Sequence, residues 1–85
     1  MALKSHMNNN YVTADLNVNA NAPLRARSTS IGAWEKYTIE SKANGYFAFK
    51  SNANGKYVST RVDQTSSPLQ AVAANANAWE MFTCD

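Results

Sequence analysis

Two acids stand in matching local sequences, Trp34-Glu35-Lys36-Tyr37-Thr38 and Trp79-Glu80-Met81-Phe82-Thr83. A carboxylate pair is the minimum equipment for glycoside hydrolysis, but the two groups must face each other across ~5–9.5 Å. Equivalent places in two sequence copies fall in neighbouring lobes, so each glutamate is expected to accept local backbone hydrogen bonds instead. The rest of the inventory holds little for catalysis. His6 is the only histidine and Cys84 the only cysteine, which excludes an intrachain disulfide and any Cys- or His-rich metal cluster. Cys84 aligns with Ile39 in the other copy and reads as a small buried hydrophobe rather than a nucleophile. His6 aligns with Asn52 and reads as a solvent histidine. No Gly-rich loop ends in Lys-Ser or Lys-Thr to cradle a phosphate. The chain therefore reads as a non-enzyme with no metal and no cofactor.

Binding chemistry is better represented. Asp15 and Asn17 with Arg25 and Arg27 form the richest polar group of the first half, and Tyr57, Arg61, Asp63 and Gln64 that of the second. If Leu24 and Ala26 point inward from a strand, Arg25 and Arg27 share its outer face. An acid or amide for hydroxyl groups, beside an aromatic to cover a ring, suits a polyhydroxylated ligand. The same residues also serve as ordinary solvated strand faces and loops. Trp34 and Trp79 offer stacking platforms, but both copies keep the block W-E-x-[YF]-T, which favours core packing with Tyr37 and Phe82.

The elements that must position these residues come in two copies. At an offset of 46, Lys4, Ser5, Tyr11 and Val12 match Lys50, Ser51, Tyr57 and Val58. At an offset of 45, Pro23-Leu24-Arg25-Ala26 matches Pro68-Leu69-Gln70-Ala71, and the Trp34 block matches the Trp79 block. The residue lost between the registers lies in the loop 16–22 or its counterpart 62–67. Internal repeats 1–42 and 43–85 thus make up a single domain, 1–85. Tyr46–Ser51 and Lys56–Thr60 read as strands, and the intervening Asn54-Gly55 predicts a type I′ hairpin turn. Asn9 replaces Gly55 in the first copy and tolerates the same positive φ. Pro23 and Pro68 each open a strand, and a fourth run starts at each tryptophan. Four short strands per copy predict an all-β sandwich or barrel, with 71–78 as a loop.

Composition narrows the partners. The 85 residues are 45% hydrophobic, only 16% charged, and include eleven asparagines, so the chain is globular with uncharged polarity. A net charge of +2 announces neither nucleic acid nor an anionic membrane. No apolar run reaches the ~18 residues of a membrane helix, and an exported form would have shed its leader.

The strings Asn54-Gly-Lys-Tyr-Val-Ser-Thr60, Ser67-Pro-Leu-Gln-Ala71 and Ala78-Trp-Glu-Met-Phe-Thr83 resemble the fascin-like repeat of the β-trefoil fold. The first copy bears the same marks, so the resemblance spans nearly the whole chain twice. It differs from ricin-type trefoils in lacking their Gln-x-Trp signature. The resemblance implies a β-trefoil-like fold and a non-catalytic carbohydrate-binding, lectin-like module with shallow sites for a polysaccharide or glycan, secreted or extracellular. Its alternative implication is a protein-interaction or actin-binding module, for which the first repeat's net charge of +2 (five bases, three acids) supplies a basic face. A trefoil needs three units and this chain holds two. Self-assembly into a homo-oligomer, membership of a longer trefoil, or closure into another small barrel would each cover the open side.

Overall fold

Aromatic and β-branched residues favour a pleated, half-buried surface. The runs that carry them, Tyr-Val-Thr-Ala and Tyr-Val-Ser-Thr, form β1 (Tyr11–Ala14) and β5 (Tyr57–Thr60). The proline-led runs form β2 (Leu24–Ser28) and β6 (Leu69–Ala73), and the hairpin between the repeats forms β3 (Tyr37–Ser41) and β4 (Phe47–Ser51). The computed structural model describes residues 1–83, so the burial expected of Cys84 lies outside the described residues. The fold is all-β, with a two-stranded sheet β1-β2 and a four-stranded antiparallel sheet β3-β4-β5-β6. Helical geometry among the described residues is limited to single 3-10 turns at Ala33–Glu35 and Ala78–Glu80; Ala43–Gly45 is a tight turn with Asn44 and Gly45 at positive φ.

Among the described residues six strands form; of the two further runs expected, the first is represented by an isolated bridge of Lys4 with Tyr11, and the described part of the last by one of Phe47 with Phe82. Both lie on the outermost segments. β3 runs along β4 from Tyr37–Ser51 to Ser41–Phe47. Residues 1–5 are tied down by single bonds rather than by a ladder: Met1 exchanges backbone bonds with Tyr37, and the Leu3 carbonyl accepts from the Val12 N–H at 2.8 Å.

The offsets that align the sequence also align the hydrogen bonds. Val12 faces Ala26 as Val58 faces Ala71, each with a bulge after the preceding tyrosine. Asn8 Nδ2 donates to the Ala26 carbonyl at 2.9 Å as Asn54 Nδ2 does to that of Ala71 at 2.8 Å. Asn9 (φ 59°) and Gly55 (φ 70°) both take the left-handed conformation, each N–H reaching the carbonyl of Ser5 or Ser51 at 2.9 Å.

One turn differs from expectation. Asn54 does not join Gly55 at positive φ, so the predicted type I′ turn is absent there. Its side chain is committed elsewhere, with Oδ1 accepting from the Lys56 N–H and Nδ2 donating to Ala71. The loop instead closes through four residues, with Ser51 N–H bonded to the Lys56 carbonyl at 2.8 Å. The mirror-image turn occurs at Asn44 (φ 63°) and Gly45 (φ 79°), between β3 and β4, where the Tyr46 N–H reaches the Ala43 carbonyl. Of the span 71–78, expected as a loop, Ala71–Ala73 belong to β6 and Ala78 opens a 3-10 turn.

The core is narrow. Ala14, Ala22 and Ala71 are fully buried with Tyr37 and Val58, and Val12, Leu16, Leu24, Phe49 and Phe82 pack against them. Alanines at its centre let the repeats approach at backbone distance, and the Ala71 N–H reaches the Ala22 carbonyl at 3.0 Å. Beside the core, Leu3, Leu24, Tyr37, Phe49, Val58, Leu69 and Phe82 line an apolar groove of about 120 Å³. Leu3 and Phe49, Leu24 and Leu69, Tyr37 and Phe82 are repeat equivalents, so both copies turn the same face to it.

Candidate functional site

The site begins with the 3-10 turns. A single turn spreads three side chains around its axis, so the tryptophan and the glutamate that follows it leave in different directions. In both repeats the glutamate goes inward. Glu35 accepts from the Gly32 N–H at 2.8 Å and the Thr13 hydroxyl at 2.7 Å; Glu80 accepts from the Asn77 N–H at 2.8 Å and the Ser59 hydroxyl at 2.6 Å. Both glutamates are buried, as are Thr13 and Ser59. A buried carboxylate holding two donors closes the turn onto the neighbouring strand.

The tryptophans are displaced outward by this arrangement. Core packing was expected of them, yet Trp34 is half-buried and Trp79 is 40% exposed. Tyr37 takes the core position, and Phe82 packs against Phe49 with ring centroids 5.5 Å apart. Burial pushes the Tyr37 hydroxyl pKa up, and the nearby Glu35 charge pushes it further in that direction.

Trp79 forms one wall of an open depression of about 440 Å³, together with Arg61, Asn75 and Asn77, and with Glu80 in its floor. The Arg61 guanidinium lies over the indole, 5.1 Å from the ring centroid. Its Nη2 donates to Asp63 at 3.2 Å, while its buried Nε has no acceptor among the described residues. A planar cation stacked on an aromatic face is held in orientation at small entropic cost. Sequence reasoning weighed Trp79 as a stacking platform but assigned it to the core, and missed Asn75 and Asn77. The available signal was a tryptophan immediately before an acid that needs burial.

The expected clusters are brought together unequally. In the first repeat Arg25 and Arg27 do share the outer face of β2, but Asp15 is buried rather than exposed. Arg27 grips it through Nε at 2.5 Å and Nη2 at 3.1 Å, Arg25 stands 3.9 Å away, and the Asn17 N–H donates to it at 3.1 Å. The hydrogen bond from Arg27 holds the Asp15 carboxyl below its ordinary pKa, against burial, which pushes it up. This group is internally satisfied. In the second repeat Arg61 and Asp63 meet, whereas Gln64 exchanges side-chain bonds with Gln70 at 3.2 and 3.3 Å. Tyr57 stands apart at the other end of β5. Its hydroxyl donates to Glu40 at 2.8 Å, and Lys42 and Lys50 lie over its ring. Lys42 and then Tyr57, as hydrogen-bond donors, hold Glu40 below the ordinary glutamate range.

Among the described residues no three His, Cys, Asp or Glu side chains gather in a way that would hold a metal. No protein-family model matches the chain, and no curated protein matches it.

Proposed function

We propose that this chain is a non-catalytic carbohydrate-binding module on a β-trefoil scaffold of the fascin-like kind, and that the depression at Trp79 is its glycan contact. The observation that carries this reading is the partial exposure of Trp79 beside an open depression lined by Arg61, Asn75 and Asn77. A partly exposed indole to lie against the C–H face of a pyranose, amides for its hydroxyls and a shallow open shape are what weak glycan sites use. The alternative of an acidic filament as partner loses support because Arg25 and Arg27 are turned toward the buried Asp15. The test is affinity electrophoresis against plant, algal and host polysaccharides, with Trp79→Ala beside the wild type. Retention of the wild type and its loss in the variant is expected. No retention on any glycan would sink the reading.

For the scaffold, the proposal is a trefoil with two of its three units in this chain and the third supplied by a second copy. Three repeat-equivalent pairs line one apolar groove, and Leu3 and Leu69 of that lining are exposed. The surface that the second repeat turns to the first is, by equivalence, also the surface that the first repeat leaves open. Each free end therefore complements the other, and a further copy extends the same β3-β4 pairing. Equilibrium sedimentation giving a mass above 9.3 kDa is the expected result. A strict monomer removes the self-assembly and leaves the glycan reading standing.

A further inference from the structure

We propose that the depression at Trp79 selects a pyranose bearing a carboxylate, a uronic-acid unit, and that Arg61 reads its charge; this rests on the carbohydrate reading above. The argument comes from a difference between the repeats. Asp15 and Arg61 occupy equivalent positions at an offset of 46, and Arg27 and Val72 are equivalent at 45. In the first repeat the acid is present and the chain provides its own arginine, whose Nε and Nη2 embrace the carboxylate at 2.5 and 3.1 Å. The second repeat has the arginine in the acid's place and an apolar valine in the arginine's place. The equivalent ion pair is therefore half built, and the missing half is an anion.

What Arg61 finds within the chain is a poor substitute. Asp63 touches only Nη2, at 3.2 Å, with its side chain 49% exposed. A surface pair of that kind contributes little. Nε is buried and lacks an acceptor, a state that costs free energy until an acceptor arrives. A ligand carboxylate that displaces Asp63 takes its place on Nη2 and, once Arg61 turns outward to uncover Nε, pairs with both nitrogens of the edge with which Arg27 holds Asp15. Bidentate geometry of this sort favours a planar carboxylate. The indole lies beneath the guanidinium, 5.1 Å from Cζ to the ring centroid. Glu80, the acid in the floor, is buried and turns its oxygens to Ser59 and Asn77, so Arg61 is the charge presented to the depression. Asn75 and Asn77 line the same depression and suit the hydroxyl groups of a ring attached to that carboxylate.

The experiment is isothermal titration calorimetry with oligogalacturonides, alginate oligosaccharides and hyaluronan oligosaccharides, against methyl-esterified oligogalacturonides, neutral β-glucan oligosaccharides and dextran sulfate. At least one uronate is expected to bind about tenfold or more tightly than its ester, and Arg61→Gln to lose a similar factor. Asp63→Asn removes the internal competitor and is expected to tighten uronate binding several-fold, a gain that mere structural damage would not produce. It also keeps the proposal testable if Arg61→Gln fails to fold. Equal affinity for acid and ester, dextran sulfate binding as well as the uronates, an unaffected Arg61→Gln, or weakened binding by a folded Asp63→Asn would each overturn it. Binding of the neutral oligosaccharides alone overturns the charge selection and leaves the carbohydrate reading intact; no binding to any glycan removes both.

Discussion

Replacing Glu80 by alanine tests the load carried by the buried carboxylates. In the folded protein Glu80 takes the Asn77 N–H at 2.8 Å and the Ser59 hydroxyl at 2.6 Å, and both Glu80 and Ser59 are buried. Alanine removes two charge-assisted hydrogen bonds, each contributing about 1.5–3 kcal/mol, and leaves the Ser59 hydroxyl without its acceptor. Loss of about 3–5 kcal/mol is expected, most of the stability of a domain this small, whose total lies near the lower end of the ~5–15 kcal/mol range. Glu80→Gln keeps an acceptor oxygen for one of the two donors and is expected to lose about half as much. In a double-mutant cycle, Ser59→Ala combined with Glu80→Gln should show a coupling of about 1–2 kcal/mol. Glu35→Ala, which strands Thr13 and the Gly32 N–H, should behave in parallel. Urea unfolding followed by circular dichroism measures all of these, at several protein concentrations so that stability added by the proposed assembly shows as a concentration dependence. A Glu80→Ala loss below about 1 kcal/mol, or equal losses for alanine and glutamine, would refute the reasoning.

Three further outcomes are expected. Tyr37→Ala, at a core position 2% exposed, should cost about 3–5 kcal/mol, while Trp79→Ala should cost under about 1 kcal/mol in the same unfolding assay. Because Arg27 lowers the Asp15 pKa from its ordinary 3.8, that pair stabilises the fold above the ordinary value and is lost as pH falls through the lowered one. In Arg27→Gln the strongest lowering influence on Asp15 is gone and burial is opposed only by the Asn17 N–H and Arg25, so the acid-unfolding midpoint, read by circular dichroism, should move to higher pH. Leu69→Asp, at the rim of the apolar groove, should reduce the sedimentation mass to that of a monomer without loss of β signal.

Local chemistry made some features legible from residues alone. Tyr57-Val58-Ser59-Thr60 is a strand because its side chains suit a pleated surface, and Asn9 adopts positive φ as its alignment with Gly55 implies. The turn type at Asn54-Gly55 was not legible, because the Asn54 amide is captured by Ala71, 17 residues away. The candidate site was legible only in fragments. Arg61 and Asp63 are near neighbours in sequence and meet in space, whereas Tyr57 at the start of the same strand turns to Glu40.

By itself the sequence determined the β character, the two-copy register and the scarcity of catalytic groups, since each depends on residue type and spacing along the chain. Tertiary structure decided which member of the Trp-Glu pairs goes inside. Side-chain hydrophobicity argues for tryptophan, but the single-turn geometry presents the glutamate to donors from Ser59 or Thr13, on a distant strand. It also decided that Asp15 is consumed internally while the Arg61 Nε keeps no acceptor among the described residues. That outcome turns on whether position 27 or 72 supplies a partner across the sheet, and no reading of either residue's own neighbours contains it.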